Sequence, residues 1–224
     1  MALSLKNPLR TIAEIIIVDD AARDIERPIE RISHIVVPSD TVSLARFLLG
    51  KVLVRELPGG IAAGRIVETE AYLPNDPACH AFRGVTPRNR SLFLERGHAY
   101  VYLCYGTSYM LNVSSEAAGI GAGVLLRALE PLYGIEHMRI NAKPIKSMDL
   151  ARGPGRLAAA LRVDLRQDGL DLFAAEQLWI GTDNRVPGPV GCSVRIGISK
   201  AADQRLRFFI AGNRHVSGPR RLNT

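Results

Sequence analysis

Cysteine is scarce in this sequence. Its three cysteines, Cys79, Cys104 and Cys192, are odd in number and far apart, which argues against a disulfide framework. None lies at zinc-ligand spacing from a second Cys or His, since Cys79 and His80 are adjacent and too close to chelate as a pair. Long apolar runs are missing as well. None approaches the roughly 18 residues of a membrane helix, and the candidate Ile15–Val18 runs directly into Asp19 and Asp20, which excludes an ordinary secretory signal. These absences predict a soluble, cytoplasmic protein with no membrane partner. Lysine is rare too, with five residues against twenty-four arginines.

What is present in excess is positive charge, a formal +7 over 224 residues. Arginine makes planar, bidentate contacts to phosphate, so an arginine-biased basic chain fits a polyanion partner. A generically basic protein would look the same, and charge alone leaves both open. The length suits one domain with a good core, or two small ones.

Residues 1–35 mix short apolar pieces with alternating charge and read as an N-terminal arm, poorly ordered or peripheral. Residues 36–224 have the texture of a compact domain. Ser39-Asp40-Thr41 can cap a helix with apolar Leu44, Phe47 and Leu48, ending at Gly50. Alternation predicts strands over 51–57 and 63–73 joined by Pro58-Gly59-Gly60, and others over 99–104, 110–114, 123–129, 177–180, 193–198 and 205–210. Residues 74–98 read as a long functional loop. Helices are predicted over 133–140 and, with Pro154 at the first position, over 154–163; Gly153-Pro154-Gly155-Arg156 lacks the Lys-Ser/Thr of a phosphate loop. The fold class is α+β, a single compact domain on a mostly antiparallel curved sheet with peripheral helices. The missing βαβα rhythm excludes a Rossmann arrangement.

On the strand Arg65–Tyr72, residues Ile66, Glu68, Glu70 and Tyr72 share one face, with Val67, Thr69, Ala71 and Leu73 on the core face. Two carboxylates and a tyrosine side by side suit either a solvated strand face or a catalytic cleft. Five of the six tyrosines lie between Tyr72 and Tyr109. Each alone fits a core or sheet position, but as a group beside the carboxylates they suit a stacking pocket for a flat ring. Between them Thr86-Pro87-Arg88-Asn89-Arg90, flanked by Arg83 and Arg96, offers what phosphate contacts need, or simply a solvated basic loop.

The stretches RIVETEAY, HAFRGVTPRNR, YVYLCYG, MLNVSSE and GVLLRALEP, in this order from about Leu44 to Val216, resemble the alkyladenine (3-methyladenine) DNA glycosylase family. Pro74 stands where some members have glycine. The resemblance implies excision of damaged purines from double-stranded DNA, with Glu70 as the base that deprotonates a water and Arg127 helping to hold that water. Sequence pattern alone does not choose Glu70 over Glu68, which is assigned a supporting role. Tyr72, His80 and Tyr102 match the base pocket, and Asn112 matches its floor; on pattern alone Asn112 is a turn or strand-end amide. Tyr105 matches the residue that fills the gap left by the extruded nucleotide. Arg83, Arg88, Asn89 and Arg90 are expected on the DNA backbone.

Cationic alkylated purines leave without an acid, so they should be favoured over neutral lesions. No lysine falls in these motifs, which disfavours a Schiff base and predicts a monofunctional enzyme without metal or organic cofactor. Monomeric action is expected, in the cytoplasm or, in a bacterium, at the nucleoid. Two other functions compete: a binding module without chemistry, against which Glu70 and Arg127 speak, and a free-nucleoside hydrolase, which would not require Tyr105 and the loop arginines.

Overall fold

The computed structural model describes residues 28–141 and 146–223. Nine strands among these residues form one sheet: β1 (Glu30–Arg31), β2 (Val52–Leu57), β3 (Gly60–Tyr72), β4 (Ala99–Cys104), β5 (Ser108–Ser114), β6 (Gly123–Tyr133), β7 (Leu178–Thr182), β8 (Val190–Ser193) and β9 (Arg207–Ile210). Among the described residues three α-helices accompany them: α1 (Thr41–Phe47), α2 (Ile135–Asn141) and α3 (Pro154–Ala160). Strand order is β1-β7-β2-β3-β6-β5-β4, with β9 pairing both β3 and β8. Every strand pair described is antiparallel, so the expected α+β class is observed.

The thirteen-residue β3 is the spine. One edge pairs with β6; the other pairs first with β2 and then, at Glu68–Glu70, with β9. A strand flanked on both edges and covered on both faces has no solvated side. Residues Ala62–Ala71 are all buried, which removes the solvated-face alternative for Glu68 and Glu70. On one face the Thr69 hydroxyl donates to the Ala45 carbonyl of α1 at 2.9 Å, and Leu44, Leu48, Val67 and Ala71 join the main apolar cluster. Ile66, expected beside Glu68, belongs to that cluster too. The pairing with β6 shifts between Ile66 and Glu68, and a bulge breaks the alternation on which the expectation rested.

Local signals act where chemistry requires them. The Asp40 carboxylate accepts the Ser43 N–H at 2.9 Å and starts α1, and Gly50, at φ +83°, turns the chain out after it. Gly59, at φ +94°, closes the β2–β3 hairpin. Other elements move from their expected places. The strand expected at 193–198 lies instead at Val190–Ser193, which frees the following residues for a loop. Strand β6 runs on to Tyr133, so α2 begins later than predicted. Within the loop after β3, Arg90–Phe93 forms a 3-10 turn. Of the expected arm, residues 28–35 carry the edge strand β1, with Ile29 and Ile32 buried; the rest lies outside the described residues. Among the described residues no helix is long and apolar enough to cross a membrane, and no His, Cys, Asp and Glu cluster could hold a metal.

Candidate active site

Glu70 sits near the end of β3, opposite Leu125 of β6 and Arg207 of β9, and is fully buried. Three donors converge on its carboxylate. The Ile196 N–H donates to Oε1 at 2.7 Å, Arg127 Nη1 lies 3.2 Å from the same oxygen, and the Tyr72 hydroxyl donates to Oε2 at 2.9 Å. Arg127 reaches this position because the ladder slips there: Glu68 pairs with Ala128 but Thr69 pairs with Leu126, leaving Arg127 at a bulge without a cross-strand partner. Bulges re-aim side chains in this way.

Glu68, two residues earlier, is spent on structure. Its Oε1 accepts from Arg127 Nε at 2.9 Å and from Arg207 Nε at 2.7 Å, and its Oε2 accepts the Ser217 N–H at 2.7 Å. Burial opposes its charge, but the Arg127 and Arg207 cations outweigh that and hold its carboxyl below the usual range. Arg207 is anchored in turn by Ser193 Oγ and by the carbonyls of Ser217 and Leu222. The last residues of the chain thereby fix the arginine that helps to balance Glu68.

A cavity of about 470 Å³ opens beside this cluster, and Tyr72, Arg127 and Ile196, the three partners of Glu70, all line it. That volume suits one flat bicyclic ring. Tyr102 and His80 line it as well, their rings meeting edge to face at 4.5 Å. The Tyr100 hydroxyl and His80 Nδ1 share a hydrogen bond of 2.9 Å that sets the imidazole. Partial burial, and then the Arg88 cation, lower the His80 pKa, so the imidazole enters neutral solution uncharged. Burial pushes the Tyr102 phenol up to about 12. Asn112 of β5 is buried at the cavity wall, its amide donating to the Tyr100 carbonyl at 3.2 Å.

Tyr105 stands at the rim, 94% exposed and at φ +49°, followed by Gly106 at φ +68°. Positive φ at both central residues is what a tight primed turn between β4 and β5 demands, but a tyrosine there is strained. An exposed aromatic held in a costly conformation has no packing purpose.

The basic loop divides. Arg83, Arg88 and Arg90 are exposed, and Arg88 lies 5.3 Å over the Tyr102 ring while lining the cavity. Asn89, expected on the DNA backbone, points into the loop that carries it. It is buried, its amide group donates to the carbonyls of His80 and Gly84, and its carbonyl accepts from Thr86. It shapes the loop from within and has no amide hydrogen left for a phosphate.

Sequence reasoning missed Ile196, Arg195, Arg207 and Ser217. A backbone N–H such as that of Ile196 leaves no trace in residue type. Arg195 and Arg207, however, each stand between apolar residues (Val194-Arg195-Ile196, Leu206-Arg207-Phe208), and an arginine inside such a run implies a buried carboxylate partner.

A buried carboxylate stands behind an aromatic-lined cavity, with a strained tyrosine and the exposed Arg88 also on its lining, an arrangement with room for a flat ring. A family model described as methylpurine-DNA glycosylase (MPG) matches residues 36–214. The chain is 64% identical over 186 residues to a protein of Mesorhizobium japonicum, covering 83% of this chain and 89% of that one. It is 54% identical over 186 residues to one of Paraburkholderia phytofirmans (83% and 87% covered), and 47% over 176 residues to one of Rubrobacter xylanophilus (79% and 92% covered). All three are provisionally named 3-methyladenine DNA glycosylase. The chain belongs to the methylpurine-DNA glycosylase family, whose work is base excision repair.

Proposed function

We propose that the chain is a monofunctional glycosylase that draws an alkylated purine from double-stranded DNA into the slot between Tyr72 and the His80–Tyr102 pair. Glu70 takes a proton from a water; the water oxygen bonds to C1′ of the sugar, and the C1′–N bond breaks with its electron pair leaving on the base. An N3- or N7-alkylated purine becomes neutral as it leaves and needs no acid. A neutral lesion needs a proton on departure, and Glu68, committed to two arginines and a backbone N–H, is not placed to give one. Tyr105 fills the gap in the duplex, and Arg83, Arg88 and Arg90 meet phosphates.

The observation that carries this proposal is that all three groups holding Glu70 also line the cavity. Monofunctional chemistry is supported by the lining itself, which among the described residues includes no lysine to form a Schiff base. Incubation with a methylated duplex should leave abasic sites that break only after alkali. Strand breaks without alkali, or covalent trapping of the protein by borohydride, would contradict it.

A further inference from the structure

Tyr72 has an unusual backing. The Arg195 guanidinium lies 4.6 Å from its ring centroid, with the arginine side chain wholly buried. Neither Arg195 nor its partner Asp76 lines the cavity, so the cation sits on the ring face turned away from the slot. Both Nη atoms of Arg195 bond to the two Asp76 oxygens, Nη1 also to the Ala71 carbonyl at 3.0 Å and Nη2 to the Ala201 carbonyl at 3.3 Å. Its Nε is buried without a hydrogen-bond partner, so the guanidinium is held against the ring although one of its bonds is left unmade. Asp76 is itself anchored, its Oδ1 also accepting the Ala78 N–H at 2.9 Å.

An aromatic face attracts a cation through its electron density, but a second cation on the opposite face opposes that attraction. A base stacked on Tyr72 would stand about 8 Å from the guanidinium, close enough for an unbalanced charge to change affinity by roughly tenfold or more at a protein-like dielectric. The other buried charges beside the slot, Glu68 and Glu70 against Arg127 and Arg207, already balance in number. Resting on the function proposed above, we propose that Asp76 is a specificity-determining positioning residue: it neutralises Arg195 behind Tyr72 so that this wall accepts a positively charged purine. Arg195 stiffens the wall, and Asp76 makes that stiffening compatible with a cationic base.

The test is the ratio of affinities for two duplexes, one carrying 7-methylguanine on a 2′-fluoro sugar that resists cleavage, the other carrying neutral 1,N6-ethenoadenine. Loss of folding lowers both affinities together and leaves their ratio alone. Asp76→Asn should weaken the cationic duplex relative to the neutral one by about tenfold. Arg195→Met should shift the ratio the other way, and the double variant, with neither charge, should return within about threefold of wild type. Ratios within twofold of wild type in both single variants would overturn the proposal, as would a double variant that keeps the Asp76→Asn ratio. If one single variant does not fold, the other together with the double still decides. If the wild type bound neither lesion duplex better than undamaged DNA, the proposed function would fail first.

Discussion

The Tyr72 hydroxyl donates a 2.9 Å hydrogen bond to Glu70 Oε2. One tyrosine thus offers its ring to the slot and its oxygen to the carboxylate. Burial, then the Glu70 charge, raises the pKa of that phenol, so it remains a donor at any working pH. Tyr72→Phe keeps the ring and removes the donor. Binding of a lesion duplex should change by less than about threefold, while single-turnover release slows by about tenfold, since a carboxylate held by fewer donors is less well aligned. Equal losses in binding and in rate would contradict this separation.

Glu68 should behave in the opposite way. Glu68→Gln leaves Arg127 and Arg207 without their shared buried charge, and breaking such a network costs about 3–5 kcal/mol. Denaturant unfolding should show this loss in the absence of DNA. A variant as stable as wild type would contradict a structural role.

Tyr105 is expected to be dispensable for stability. Tyr105→Gly removes a side chain that is 94% exposed and relieves a positive φ, so stability should hold or rise by up to about 1 kcal/mol. Affinity for a lesion duplex should fall tenfold or more at the same time. A loss of stability without loss of affinity would reverse the assignment.

Much of this was legible in the sequence, and what was not has physical causes. Alternation along 65–72 places Glu70 and Tyr72 on one face, and the structure joins them by a hydrogen bond. Alternation cannot show a bulge, and the bulge at Glu68 is what turns Arg127 toward both glutamates. Nor can it show that Ile196, 126 residues away, supplies a backbone donor to Glu70. An amide in an arginine-rich loop suits phosphate and loop closure equally, and the hydrogen bonds that tie Asn89 to its own loop leave no trace in residue type. The stretch 193–198 has the apolar texture of a strand, yet its strand ends at Ser193 and Arg195 and Ile196 lie in the loop that follows; texture does not report which residues pair.

One pH effect lies away from the site. The Arg65 fork on Asp183, at 2.7 and 2.9 Å, holds the Asp183 carboxyl down at about 2 although burial opposes it. A depressed folded-state value stabilises the protein above the unfolded value, near 4, and the gain is lost as pH falls toward about 2. With allowance for solvent screening, Asp183→Asn should cost about 1 kcal/mol at pH 7. The gap from wild type should close on acidification to pH 2–3; a gap constant with pH would contradict the assignment.

Single-turnover release of a methylated purine from a duplex tests the role of Glu70 most directly. Glu70→Gln should bind the lesion duplex as wild type does, yet release the base at least about 100-fold more slowly. Release at the wild-type rate by folded Glu70→Gln would show that the catalytic base lies elsewhere.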